Sequence, residues 1–156
     1  MRPFSVRPVW LLVLLGAATV AACAAPARPR PVTTPQASAP ASLQGSSWVA
    51  VEIDNTGVLD RVRSTLDFQP DGRVAGSTGC NQYTAPVQAG EAVLRIGAAG
   101  VTRRACDGSI MDQELRFVTA LSAVASYRLE GSQLLLLDEA GRTRVRLVSA
   151  SSIAAP

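Results

Sequence analysis

Hydroxyls, thiols and carboxylates are the side chains with which this chain could do chemistry. Ser77, Thr78 and Ser109 are candidate nucleophiles, but the sequence has no His and all 15 of its basic residues are arginines. A Ser-His-Asp triad needs an imidazole to take the hydroxyl proton, and a Ser-Lys dyad needs an amine, so both are excluded. The missing His also removes the commonest zinc ligand, and Cys80 with Cys106 is too small a set for a structural zinc site. Asp67, Asp71, Asp107 and Asp112 are spread over turns and a helix start, without the spacing of a calcium loop. A glycosidase-like carboxylate pair stays open, because separation along the chain does not fix separation in space. No catalytic residue, metal ligand or cofactor is assigned.

The three cysteines divide by context. Cys80 lies in Gly76-Ser77-Thr78-Gly79-Cys80-Asn81-Gln82-Tyr83, where two glycines and an asparagine, residue types that tolerate positive φ, surround the thiol. Cys106 ends Thr102-Arg103-Arg104-Ala105-Cys106, just before the one convincing helix. A cysteine at a backbone corner and another at a helix entrance suggest a staple joining sheet to helix. Exported chains meet an oxidising compartment, where thiols pair unless chemistry reserves them. With Cys23 committed to the N-terminal signal described next, an even pair remains. The chain-entropy account gives such a bridge ~3 to 4 kcal/mol. Its rival is a redox-active thiol: neither cysteine sits in a Cys-x-x-Cys motif, yet Arg103, Arg104 and the helix start would lower the pKa of Cys106.

The case for export lies at the N-terminus. Arg2 and Arg7 flank the start of an apolar run, Val9–Val20, which is short for a bilayer span and is followed by small residues. That is the pattern of a secretory signal. Val20-Ala21-Ala22-Cys23 resembles the bacterial lipobox, whose cysteine is diacylated and becomes the mature N-terminus. Residues 1–22 are therefore read as a lipoprotein signal peptide and Cys23 as the lipidation site. Acyl chains, at ~0.8 kcal/mol per buried CH₂, hold a protein on a membrane without a spanning helix. Ala24, rather than an acidic retention residue, points to the outer membrane, facing the periplasm. Residues 23–42 are rich in Pro and Ala, too poor in large apolar groups to order themselves, and read as a stiffened tether.

Charge narrows the partners further. The formal +3 misleads, because Arg2, Arg7, Arg28 and Arg30 precede the domain; without them the 12 acids slightly outnumber the remaining arginines. A near-neutral domain with three Phe is a poor nucleic-acid binder.

The elements that must position the two cysteines occupy residues 43–149, with 150–156 as a tail that should fray. Gly45 to Ile53 reads as a first strand with Val49, Val51 and Ile53 on one face and Trp48 on the other or capping an end of the core. Asp54-Asn55-Thr56-Gly57 reads as loop. Thr65-Leu66-Asp67-Phe68 alternates, and Pro70-Asp71-Gly72 turns it into a strand over Arg73 to Ser77. Strands near Tyr83 to Gln88 and Ala92 to Ile96 follow. The period then becomes helical: Ser109 and Asp112 form a capping-box-like start with Asp107 adding charge. Met111, Leu115, Val118 and Leu121, with Phe117 and Val124, make the apolar stripe expected to pack on the core. Three strands close the chain: Ser126 to Leu129, Gln133 to Asp138 and Thr143 to Val148. Leu134 to Leu137, apolar on both faces, is expected to be central. Arg142, Arg144 and Arg146 alternate outward on the last strand, which reads as a solvated, aggregation-resistant edge; contact with anionic lipid is the alternative. On the edge reading Arg144→Glu changes stability by less than about 0.5 kcal/mol. The fold class is mainly β with one helix (α+β).

The corner motifs carry a family likeness. Gly45-x-x-Trp48, Leu66-x-Phe68, Gly72-x-Val74-x-Gly76-x-x-Gly79-Cys80-Asn81-x-Tyr83, Thr102-Arg103-x-Ala105-Cys106 and, after the helix, Leu134-x-Leu136 resemble the META domain. This is the domain of HslJ-like heat-shock lipoproteins and envelope proteins of bacteria. The sharpest part is the corner Gly79, Cys80, Asn81 and Tyr83 paired with Thr102, Arg103, Ala105 and Cys106. Arg104 stands where the family usually has Met, and Ala85 where a Gly commonly follows the aromatic. The resemblance implies a compact antiparallel β-barrel-like sheet with a single amphipathic helix packed on it, in proteins tied to envelope stress and antibiotic tolerance. It brings no catalytic residues.

Three functions compete at this point. A non-catalytic, lipid-anchored envelope protein would act through contacts with another envelope protein, as a monomer. A small-ligand or lipid-binding module would use the barrel interior. An enzyme would use carboxylates. Large side chains at Leu66, Phe68, Leu94, Ile96, Leu134, Leu136, Val145 and Leu147 should fill the interior, which places the accessory reading first.

Overall fold

The computed structural model describes residues 42–153. The expected signal peptide, the lipidation site Cys23 and the tether up to residue 41 lie outside the described residues.

The expected strands form, and two short ones, β2 and β7, join them. Before the helix the order is β1 (Ser47–Ile53), β2 (Thr56–Gly57), β3 (Thr65–Phe68), β4 (Arg73–Ser77), β5 (Gln82–Ala89), β6 (Leu94–Ile96) and β7 (Gly100–Val101). After helix α1 (Gly108–Ser122) come β8 (Ser126–Glu130), β9 (Gln133–Leu137), β10 (Thr143–Ser149) and a short helix, α2 (Ala150–Ile153). The strand order is β6-β5-β4-β3-β1-β10-β9-β8, with β2 on β1 and β7 on β5. Every pairing is antiparallel. The two ends of this path meet: Val93 bridges to Ser126, and Leu94 N–H donates to Ala125 C=O at 3.2 Å. The protein is mostly β, a nearly closed barrel-shaped antiparallel sheet with one main helix.

Turn chemistry sets the registers. Asp54 and Asn55 both have positive φ (48° and 59°), the geometry of the two-residue turn whose twist matches the flanking strands. Thr56-Gly57, expected as loop, consequently returns as a strand paired with Glu52 and Ile53. Gly76 permits the close approach of β3 and β4, since a Cβ there would lie 2.3 Å from the Thr65 carbonyl oxygen.

The interior is filled. All eight large side chains expected to occupy it, from Leu66 to Leu147, are buried, together with Trp48, Tyr83, Phe117 and Leu121. Trp48 Nε1 donates to Ser46 Oγ at 2.7 Å, which satisfies its one polar atom. The face of β1 differs from expectation. A register shift between Ala50 and Glu52 inserts Val51 as an extra residue, so Ala50 and Ile53 point inward while Val51 is exposed. A β-bulge resets a strict alternation in this way.

The last strand is not an edge. β10 lies between β1 and β9, and its arginines face carboxylates on neighbouring segments. Arg144 donates to both Asp54 oxygens at 2.6 and 3.1 Å, and Arg146 lies 3.5 Å from Glu52, its cross-strand partner. Arg142 holds the buried Asp138 at 2.8 Å, and its hydrogen bonds keep that carboxyl below the usual carboxylate range. Arg144 and Arg146 thus form a half-buried charge ladder, with the more exposed Arg142 at its end. Arg144→Glu would set a third carboxylate between Asp54 and Asp138. It is expected to cost about 1–2 kcal/mol, between exposed and buried ion pairs. Urea unfolding of the variant checks this, and a change under about 0.5 kcal/mol would restore the solvated-edge reading. The segment from Ala150, expected to fray, instead turns into α2 against β1 and β10.

Candidate functional site

The corner before β5 is built by backbone demands that its sequence meets. Gly79 has φ +113°, and a Cβ there would meet Val62 Cγ1 at 2.7 Å, so only glycine fits. Thr78 and Asn81 close the turn: Thr78 N–H donates to the Asn81 carbonyl at 2.8 Å, and Asn81 N–H donates to Thr78 Oγ1 at 3.0 Å.

Asn81 then clamps the distant segment Thr102–Cys106. Its Oδ1 accepts from Arg104 N–H at 2.7 Å and from the Thr102 hydroxyl at 2.9 Å. Its Nδ2 donates to the Glu114 carboxylate at 3.0 Å and to the Arg104 carbonyl at 3.3 Å. Glu114 also accepts a hydrogen bond from the Thr78 hydroxyl. Beside it, Gln113 Nε2 donates to Ser64 Oγ at 3.1 Å while its Oε1 accepts Leu59 N–H at 2.7 Å. Ser64 in turn donates to the Thr78 carbonyl at 2.8 Å. Ser64, Thr78, Asn81 and Gln113 are buried, and no buried side-chain N or O among the described residues lacks a partner. Such a closed network rigidifies the place it occupies and leaves few groups to greet a ligand.

The disulfide seals the same junction. Cys80 and Cys106 are bonded, with Cα atoms 6.1 Å apart, so the thiol rival is set aside. Tyr83 is buried, donates to the Thr65 carbonyl at 2.8 Å and meets Phe117 edge-on at 5.9 Å. Burial, with a smaller contribution from Asp67, pushes its hydroxyl pKa well up. The structure thus brings Gly79, Cys80, Asn81, Thr102 and Cys106 into one knot, with Tyr83 in the core behind it. Arg103 and Ala105 do not join the knot; both are exposed on its outer side. Of the candidate nucleophiles, Thr78 is buried in the network and Ser109 sits exposed on the first turn of α1. No cluster of three metal-ligating side chains occurs among the described residues.

Sequence reasoning missed Ser64, Gln113 and Glu114. The available signal was spacing: Gln113, Phe117, Ala120 and Leu121 are the buried positions of α1, a helical stripe with one polar member. Reading apolar residues alone found Phe117, Leu121 and Val124, which are buried, but put Met111, Leu115 and Val118 on the buried face in place of Gln113. Leu115 is 67% exposed, and Met111 and Val118 are half-buried beside it. The helix also begins two residues earlier than expected. Asp107 occupies the cap position without a side-chain cap bond, and the Ser109–Asp112 box does not form.

Two open concavities flank these elements. One, of about 390 Å³, is lined by Arg95, Arg142 and Arg144 with Asp138 and Glu139; its opposite charges pair with one another. The other, of about 560 Å³, runs between the Ala99–Arg103 segment and the Met111, Leu115 and Val118 side of α1.

A small barrel-shaped sheet whose corner is knotted to a helix entrance by one asparagine and one disulfide defines the class. The chain belongs to the META domain family, whose model matches residues 41–151. Its fold is similar to that of a protein from Burkholderia xenovorans solved by NMR, at TM-score 0.57 and 23% identity, covering 81% of this chain and 99% of that one. A second NMR structure gives TM-score 0.57 at 17% identity, covering 73% of this chain and 96% of the other. No curated protein matches the sequence.

Proposed function

We propose that this chain is a lipid-anchored, non-catalytic protein of the bacterial envelope. On this reading it is held by Cys23 in the outer membrane, faces the periplasm and acts through protein contacts in envelope stress or antibiotic tolerance. The observation that carries the reading is a division of labour on the surface. The polar side chains of the family corner are spent on one another, and the interior is filled with large side chains. Of the exposed large apolar side chains among the described residues, Leu115 on α1 is the most exposed, and it lines a groove with Met111 and Val118. An enzyme needs the reverse, polar groups aimed into an accessible space. The lipobox supports the anchor, and the filled interior weighs against a ligand-carrying barrel.

Two experiments on the full chain in cells test this. Cys23→Ser is expected to leave the protein unacylated and move most of it from membrane to soluble fractions. An unmodified N-terminal peptide in the wild type would refute the anchor. A photo-crosslinking residue at position 115 is expected to trap envelope protein, whereas the same residue at the exposed Leu129 on β8 does not. Lipid adducts alone, or equal trapping at both positions, would overturn the contact reading.

A further inference from the structure

Resting on that reading, we infer that the groove between β7 and α1 binds an extended segment of a partner protein by strand addition to β7. The segment carries apolar side chains at alternate positions and an acidic one opposite Arg103.

The main chain of β7 says what kind of group belongs there. Among the described residues β7 pairs only with β5, through Tyr83 with Val101 and Thr84 with Gly100. Thr102 N–H donates back to the Gln82 carbonyl at 3.0 Å. In an antiparallel ladder successive residues direct their N–H and C=O alternately to the two sides. With Thr102 turned toward β5, the N–H and C=O of Val101 face the opposite side, where no strand lies among the described residues. Exposed strand edges of this kind are templates for another strand. Main-chain bonding supplies affinity in such complexes, and pockets for alternate side chains supply selection.

The side chains of the groove add the second half of the argument. Ala99 and Val101 pack against the core, so the inner face of β7 is continuous with the interior. A strand added outside β7 would continue that face and project every second side chain toward α1. There it meets Met111, Leu115 and Val118. These repeat at three- and four-residue intervals, about 4.5–6 Å along the helix axis, comparable to the two-residue repeat of about 6.7 Å in a strand. An extended polypeptide thus has the right period for both walls.

Charge sets the remaining feature. Arg103 is exposed at the rim and has no carboxylate partner among the described residues. Glu114, on the same groove, already holds Asn81 and Thr78 through its carboxylate. Arg103 is therefore the cation left to pair with a partner's carboxylate, while Asp112 on the opposite wall disfavours a second acid facing the helix.

The test extends crosslinking in cells with the full-length acylated chain carrying a photo-reactive residue at Leu115, and identifies the trapped peptide by mass spectrometry. Strand addition predicts one short extended segment with alternating apolar residues and an Asp or Glu near the crosslink. Val101→Pro removes the outward N–H without removing a bond to β5, a substitution an edge strand tolerates. It is expected to cut the crosslink yield at least tenfold. Arg103→Glu, on an exposed side chain, is expected to do the same, and Lys at the partner's acidic position to restore trapping. Should Val101→Pro not fold, the Arg103 charge swap decides alone. Trapping of an envelope protein that survives both variants would overturn strand addition while leaving the contact reading intact. A trapped helical segment, or a second copy of this chain, would also overturn it. Lipid adducts alone would remove both.

Discussion

Replacing Cys80 and Cys106 together by alanine is expected to lower the unfolding free energy of the domain by ~3 kcal/mol. The bridge closes a loop with a sequence separation of 26, and that loop contains β5, β6 and β7. In the unfolded chain this constraint removes much of the freedom of the segment. In the folded chain the bridge holds the corner before β5 to the residue preceding the α1 cap. A small domain has only about 5–15 kcal/mol in total, so the loss should show as a large drop in the urea midpoint of the mature protein. Reductant should shift the wild type by the same amount and leave the double variant unchanged. A shift below about 1 kcal/mol would mean that the knot of hydrogen bonds carries the junction without the bridge.

The second large effect is expected at Asn81. Alanine there leaves Arg104 N–H and the Thr102 hydroxyl without their acceptor and takes a donor from Glu114. Each stranded group in a buried setting costs ~1–3 kcal/mol. Because the Thr102–Cys106 segment can partly relax into solvent, the net cost should be about 3 kcal/mol. Asn81→Asp separates polarity from charge. It keeps the acceptor for Arg104 but places a second carboxylate against Glu114, so it should be no more stable than the alanine variant at neutral pH. Thermal unfolding of the three proteins checks the order. An Asn81→Asp variant as stable as wild type would show that Nδ2 and Glu114 are not coupled.

What the sequence made legible follows from how local each signal is. Alternation placed β3 and β10, the continuous apolar run Leu134–Leu137 placed β9, and Pro70-Asp71-Gly72 placed the turn between β3 and β4, because these signals act within a few residues. The β1 bulge was invisible: no residue near Val51 announces it, and it follows from simultaneous pairing to β10 and β3. The status of β10 depended on strand order, which long-range pairing decides, so its arginines read as an edge device although they face Asp54, Asp138 and Glu52. Phe117, Leu121 and Val124 were read correctly as buried, but the polar member of the buried face of α1 was missed for a similar reason. Gln113 occupies a core position only because Leu59 and Ser64, more than forty residues away, supply partners for its amide. The cysteine pair was legible through compartment and parity, whereas the Asn81–Glu114 contact joins residues 33 apart and carried no local mark.

The central claim is that the Gly-Cys-Asn corner is a structural knot and that contact with partners belongs to the groove beside it. Native-state amide hydrogen exchange on the oxidised mature protein tests this most directly. The N–H groups of Asn81, Arg104 and Leu59, all bonded within the knot, should exchange only through global unfolding. The amide of Val101, facing away from β5, should exchange far faster. Rapid exchange at Asn81 and Arg104, comparable to an open loop, would contradict the account and return the corner to the list of ligand-binding candidates.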